Sequence, residues 1–102
     1  MNQLRIHAKA VAKSALRYTP AGVAVLEASF EHQGSVKEAA AERSLAFEFS
    51  AIALGAVALA LDREPLGKPM MLEGFIAPRS RRTTRLLVHV TEYKVNEIRD
   101  GV

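Results

Sequence analysis

The chain has 102 residues, 49% hydrophobic and 25% charged, with a formal charge of +3 and a pI of about 9.6. Such a length and balance predict one small domain, residues 1–102, with a thin single core, and argue against intrinsic disorder. Cysteine is absent, which excludes disulfides, thiolate metal sites and a Cys nucleophile, and fits a reducing compartment.

The N-terminal MNQLRIHAKA has charges within its apolar positions and no hydrophobic region of a signal peptide. Ala51–Leu61, the most apolar run, is about half of the roughly 20 residues that a membrane-spanning helix needs. The expectation is a soluble cytoplasmic protein.

Residues 3–13 alternate, with Leu4, Ile6, Ala8, Ala10 and Ala12 on one face and Arg5, His7, Lys9 and Lys13 mostly on the other, interrupted by Val11. Period 2 over this length predicts a half-buried strand. Thr19-Pro20-Ala21-Gly22 reads as a turn, because Pro presets one φ and Gly permits a positive one. Val23–Glu31 alternates again, with Ala24, Leu26, Ala28 and Phe30 opposite Glu27, Ser29 and Glu31. His32-Gln33-Gly34-Ser35 breaks that strand. Residues 35–44 have a helix-favouring composition but are too few for a stable isolated helix. A helix and a flexible or partly helical hairpin arm both remain open there.

Leu45, Phe47, Phe49 and Ala51 then alternate with Ala46, Glu48 and Ser50, giving a third strand; Phe30 of the second strand and Phe47 and Phe49 of the third are read as core residues. Gly55 ends it. Ala56–Asp62 reads as a short helix, and Glu64–Pro69 as a tight connection. Leu72–Ala77 and Leu86–Tyr93 are the fourth and fifth strands. Gly74 marks a bulge or a close backbone approach. Phe75 is compatible with the barrel interior, a subunit interface or a ligand face.

Five strands with a short helix between the third and fourth predict an all-β fold, the five-stranded Greek-key OB barrel. Such barrels bind ligands on the face of their second and third strands, flanked by the loops joining strands 1 to 2 and 4 to 5. The second of these loops holds Arg79, Arg81, Arg82 and Arg85, spaced by Ser80, Thr83 and Thr84, with no carboxylate between Glu73 and Glu92. Clustered guanidinium groups suit a polyanion whose phosphates lie along a path. Arg17 and Tyr18 fall in the first loop. The candidate nucleic-acid-binding residues are therefore Arg17, Tyr18, Arg79, Arg81, Arg82 and Arg85, with Arg5 and Lys9 on the first strand as weaker members.

Two segments carry a resemblance. Arg17-Tyr18-Thr19-Pro20-Ala21-Gly22 is similar to the RYTPxG segment of bacterial single-stranded-DNA-binding proteins. Its combination with Glu73-Gly74-Phe75-Ile76, then Arg79-Ser80-Arg81-Arg82, then Leu86–Val90 resembles the primosomal replication protein N family within that OB-fold group. The resemblance spans nearly the whole chain, and the short length without an acidic C-terminal tail fits it. It implies a non-enzymatic homodimer that binds single-stranded DNA and contacts the replication-restart helicase and a further primosome protein. Some relatives carry a stacking aromatic on the solvent side of the third strand, where this chain has Ser44, Ala46 and Glu48. Stacking is worth about 1–3 kcal/mol per base, so the departure implies weak DNA binding that leans on charge or on protein partners.

No other pattern carries chemistry. His7, His32 and His89 lack metal-ligand spacing. No serine sits in a nucleophile elbow, and the glycines form no phosphate-cradling loop. Glu73 and Glu92 read as a cross-strand surface pair. The chain is thus read as no enzyme, with no cofactor and no metal. Two alternatives stay open: an OB-fold interaction module whose Arg loop grips an acidic protein, and an RNA-binding OB domain, since stacking and phosphate contacts tolerate either sugar.

Overall fold

The computed structural model describes residues 1–96. Strands β1 (Leu4–Lys13), β2 (Arg17–Tyr18), β3 (Ala24–Glu38), β4 (Ala41–Leu54), β5 (Pro69–Pro78) and β6 (Leu86–Val95) flank one helix, α1 (Ala56–Arg63), between β4 and β5. They hydrogen-bond in the order β1-β5-β6-β4-β3-β2, and pairing of β1 with β3 closes the ring. β2 is a two-residue flap on β3. The other five strands make the expected Greek-key OB barrel, with β4–β6 as its parallel pair.

The alternating apolar positions fill the barrel. Leu26, Phe30, Met70 and Leu72 are fully buried, while Ala8, Ala10, Ala24, Ala51 and Ala53 line the wall around them. Methyl-sized wall residues leave room for these few large side chains in so small a barrel. Helix α1 covers one end with Ala58 and Leu61, three residues apart on one face. A helix this short does not hold itself. It is fastened at its start by Gly55, whose N–H donates to the Ala24 carbonyl (2.8 Å) from a φ of 73° that favours glycine. At its end the Lys13 ammonium donates to the carbonyls of Asp62 (2.9 Å) and Glu64 (2.6 Å), a cation on the negative helix terminus.

Lys13 reaches that position because β1 is bulged. Its register against β3 shifts between Ala10 and Ala12. The extra residue, Val11, reverses the alternation, so Ala12 is exposed instead of facing the core as its spacing predicts.

Residues 35–44 correct the helical alternative. The β3–β4 ladder runs unbroken from Val25↔Leu54 to Glu38↔Ala41. A two-residue turn of Ala39 (φ 52°) and Ala40 (φ 64°) closes it. Positive φ at both central residues matches the twist of a hairpin. The ladder supplies each residue with main-chain partners, which outweighs a helix propensity of tenths of a kcal/mol per residue. Arg43 and Glu38 pair across the tip.

Phe47 is the second correction. Phe49 does pack toward the barrel, its ring 5.9 Å from that of Phe30. Phe47 shares that strand face but lies where the hairpin leaves the barrel, so it is 43% exposed. His32 (5.2 Å) and Phe49 (6.0 Å) flank it.

Candidate nucleic-acid interface

The Arg-rich loop between β5 and β6 is a braced turn. The Arg79 N–H donates to the Arg85 carbonyl (2.8 Å) and shuts the loop neck. Inside it, the Arg82 N–H donates to Ser80 Oγ (3.3 Å) and the Arg85 N–H to Thr83 Oγ1 (3.1 Å). Short hydroxyl side chains hold the turn by bonding the backbone two residues on. The arginine side chains are left outside: Arg81, Arg82 and Arg85 are exposed and, among the described residues, have no carboxylate within ion-pair distance.

The β1–β3 connection is set by the RYTPxG segment. The Gly22 N–H donates to the Thr19 carbonyl (2.8 Å), with Gly22 at a φ of 84°. Thr19 Oγ1 accepts from the Val23 N–H (3.1 Å). This turn lays Arg17 and Tyr18 antiparallel to Val25 and Ala24. Tyr18 projects with 60% of its surface exposed.

Both loops border the outer face of β3 and β4, and one carboxylate joins them. Glu27 accepts from Arg17 Nη1 through Oε2 and from Arg79 Nη1 through Oε1, each at 2.9 Å. The Arg79 bond and then the Arg17 bond hold the Glu27 carboxyl below its ordinary 4.5, against partial burial, which raises it. Beside this bridge is a cleft of about 220 Å³ lined by Ala12, Lys13, Ser14, Ser29 and Ser50. Further along the same face Glu31 and Glu48 stand directly opposite each other, with Lys9 3.6 Å from Glu31.

The structure thus gathers Arg17 and Arg79 on Glu27 at one edge of this face, with Arg81, Arg82 and Arg85 on the adjoining loop; Tyr18, the next residue along β2, lies on the opposite side of that strand from Arg17. Lys9 lies on β1, paired to Glu31. Arg5 falls elsewhere. It pairs with Glu73 (3.0 Å) and borders a groove of about 430 Å³ between α1 and β5–β6, lined by Ala56, Val57, Ala60, Met71 and Tyr93. Glu73 and Glu92 are cross-strand partners, and Arg5 tempers their repulsion. Phe75 stands outside the barrel, stacked on His89 at 4.6 Å and 11°, which excludes the interior reading. Phe75, His89, Ile52, Leu54 and Val57 line an apolar cleft of about 240 Å³.

Glu27 was not legible as a site residue. Its alternation marks it as outward-facing and nothing more, since its two arginine partners come from distant loops. Tyr93 and Glu64 form another pair outside the proposed interface: Tyr93 Oη donates to Glu64 Oε2 at 2.8 Å. Burial, and then that carboxylate, push the Tyr93 phenol up to about 12. The Tyr93 bond holds the Glu64 carboxyl below 4.5.

A closed five-stranded barrel whose two binding-side loops present arginines defines a class of oligonucleotide-binding proteins, and the family comparison agrees. The family described as "another single-strand binding protein family" matches residues 2–92, and the chain belongs to it. Within that family, the chain is 37% identical over 92 residues to the replication restart protein PriB of Bordetella pertussis, covering 90% of this chain and 86% of that one. It is 33% identical over 94 residues to PriB of Nitrosomonas europaea, covering 92% and 87%. The solved structure of PriB from Ralstonia solanacearum superposes with a TM-score of 0.86 at 30% identity, covering 95% of this chain and 99% of that one.

Proposed function

We propose that the chain is a non-enzymatic, single-stranded-DNA-binding accessory protein of the replication-restart primosome in the cytoplasm. In this reading it holds the strand along the Arg loop and the outer face of β3–β4, and steadies the restart helicase on it. The observation that carries the reading is the cluster of Arg81, Arg82 and Arg85 on a braced loop next to the Arg17–Glu27–Arg79 bridge, none of the three within reach of a carboxylate among the described residues. Exposed guanidinium groups on a fixed loop gain by neutralising phosphates and releasing counterions. With Ser44, Ala46 and Glu48 on the outer face of β4, stacking contributes little there, and charge carries the affinity.

The protein acts as a homodimer in this reading. The apolar outer cleft around Leu54 and Phe75, both exposed, supports burial against a second copy, and a two-fold pair is the commonest closed arrangement. Sedimentation equilibrium is expected to give about twice the 11.1 kDa chain mass; a monomer at tens of micromolar refutes the dimer.

Fluorescence anisotropy with labelled dT and rU oligomers and duplex DNA, at several salt concentrations, tests the binding reading. The expected order is dT tighter than duplex, with strong salt dependence. Preference for rU would move the function to RNA, and absence of nucleic-acid binding would leave the Arg loop to an acidic protein surface. With dT binding in hand, the restart helicase is expected to stay longer on a forked substrate when the protein is present.

A further inference from the structure

We propose that Glu27 is an internal competitor for the phosphate backbone: its carboxylate occupies, between Arg17 and Arg79, the position a strand phosphate takes on binding. The inference rests on the strand-binding reading above.

The geometry is specific. One carboxylate gives one oxygen to each of two guanidinium groups, both at 2.9 Å, the length of a charge-assisted bond. The two arginines belong to the two loops that flank the binding face, 10 and 52 residues from Glu27. A carboxylate and a phosphate present similar oxygen pairs to an arginine fork. Glu27 thus ties both loops down and cancels one of their two charges. A strand arriving at this edge meets Arg81, Arg82 and Arg85 first, and takes the Nη1 donors of Arg17 and Arg79 by displacing Glu27. The two arginine side chains are about half exposed (54% and 43%) and the Glu27 side chain is 25% exposed, so the exchange is open to solvent and needs no core movement. Glu31 and Glu48 stand on the same face, but neither joins two arginines.

The exchange limits both affinity and salt dependence. An exposed pair is weak, so removing two such competitions is expected to raise affinity by about three- to tenfold. It also adds one uncompensated charge, which steepens the slope of log K against log salt for single strands by about 0.7.

Glu27→Gln keeps the shape and removes the charge, and Glu27→Ala serves as the second variant. Each is titrated with labelled dT oligomer and, by calorimetry, with tripolyphosphate, a polyanion without bases. Glu48→Gln on the same face controls for general loss of negative charge. Tighter dT binding and a steeper slope in both Glu27 variants, exceeding the gain in Glu48→Gln, support the proposal. Unchanged or weaker dT binding in the folded Glu27 variants overturns it, because Glu27 would then orient the arginines instead of competing for them. An equal gain in Glu48→Gln also overturns it. If dT binds none of the proteins while tripolyphosphate binds the Glu27 variants more tightly, the strand-binding reading fails and the competition stands. If tripolyphosphate does not distinguish them either, both fail.

Discussion

Gly74→Ala is the substitution with the largest expected effect for the fewest atoms added. At Gly74 the register of β5 against β6 slips: Glu73 faces Glu92, Gly74 faces Val90, and Thr91 is left over. The slip turns both Val90 and Tyr93 inward, three residues apart, where strict alternation would send one outward. It also presses the backbones together. A Cβ at Gly74 would lie 1.7 Å from the His89 carbonyl oxygen, 2.8 Å from its carbon and 3.2 Å from Val90 Cα. These are backbone atoms, so no side chain can swing away. Restoring even 3.0 Å requires β5 and β6 to separate by about 1.3 Å. Two ladder bonds at about 1 kcal/mol each would be strained. The neighbours Leu72 and Val90 would lose close packing, at about 1–3 kcal/mol. The expected loss is about 3–5 kcal/mol, a large part of the 5–15 kcal/mol typical of a domain. At roughly 4–8 °C per kcal/mol for a domain of this size, Tm falls by at least about 12 °C. Urea and thermal unfolding followed by circular dichroism measure it. Gly34→Ala is the control: its Cβ meets only the His32 ring, at 3.0 Å, and the expected change is within about 0.5 kcal/mol. A Gly74→Ala variant equally close to the parent, with an unchanged m-value, refutes the close-approach argument.

Ala39→Asn with Ala40→Gly suits the left-handed turn, where each alanine now costs about 1 kcal/mol. Amide exchange at the arm residues Val36 and Arg43 is expected to slow about five- to tenfold, and faster exchange would count against the turn assignment. Replacing Arg81 and Arg82 together with alanine is expected to weaken all single-stranded sequences alike and to flatten the salt slope by roughly 1–1.5, with stability unchanged within about 0.5 kcal/mol; unchanged affinity and slope refute phosphate tracking. Stability should be pH-dependent at both extremes. Glu27 and Glu64 hold folded values below 4.5, so below that value the unfolded chain takes up protons first, and stability is lost as pH falls through the folded values. Tyr93 is raised from 10.0 to about 12, so its contribution is complete below pH 10 and is lost as pH rises through that interval. Urea unfolding across pH checks both limbs: Glu64→Gln should shallow the acid limb, and Tyr93→Phe should remove the alkaline one.

Much of the barrel is legible in the chain because its pleat repeats every two residues. Ala24, Leu26 and Phe30 against Glu27, Ser29 and Glu31 is a pattern that only a half-buried strand satisfies economically. Gly74 is legible for a related reason: a glycine inside such a pattern signals a missing Cβ. The failures fall where periodicity is broken or continues past the core. Val11 inserts a residue into β1 and turns Ala12 outward. At Phe47 the alternation persists on a hairpin that has already left the barrel, so an inward-facing position is no longer a buried one. Residues 35–44 read as ambiguous because helix propensity is local, whereas their strand partners are supplied by the other half of the same arm.

The basic loop and the turn bearing Arg17 and Tyr18 are determined by the sequence itself. Arginine, serine, threonine, proline and glycine act there through charge and local φ preference, which need no distant neighbour. Which arginines are already engaged is decided by the tertiary structure. Arg17 and Arg79 look alike in sequence to Arg81 and Arg82, yet closure of the barrel lays the first pair on Glu27 and leaves the second pair in solvent. Arg5, equally basic, is carried by β1 to the side beside α1 and matched to Glu73. Charge is a property of each residue, but its availability depends on what the fold places within a few ångströms of it.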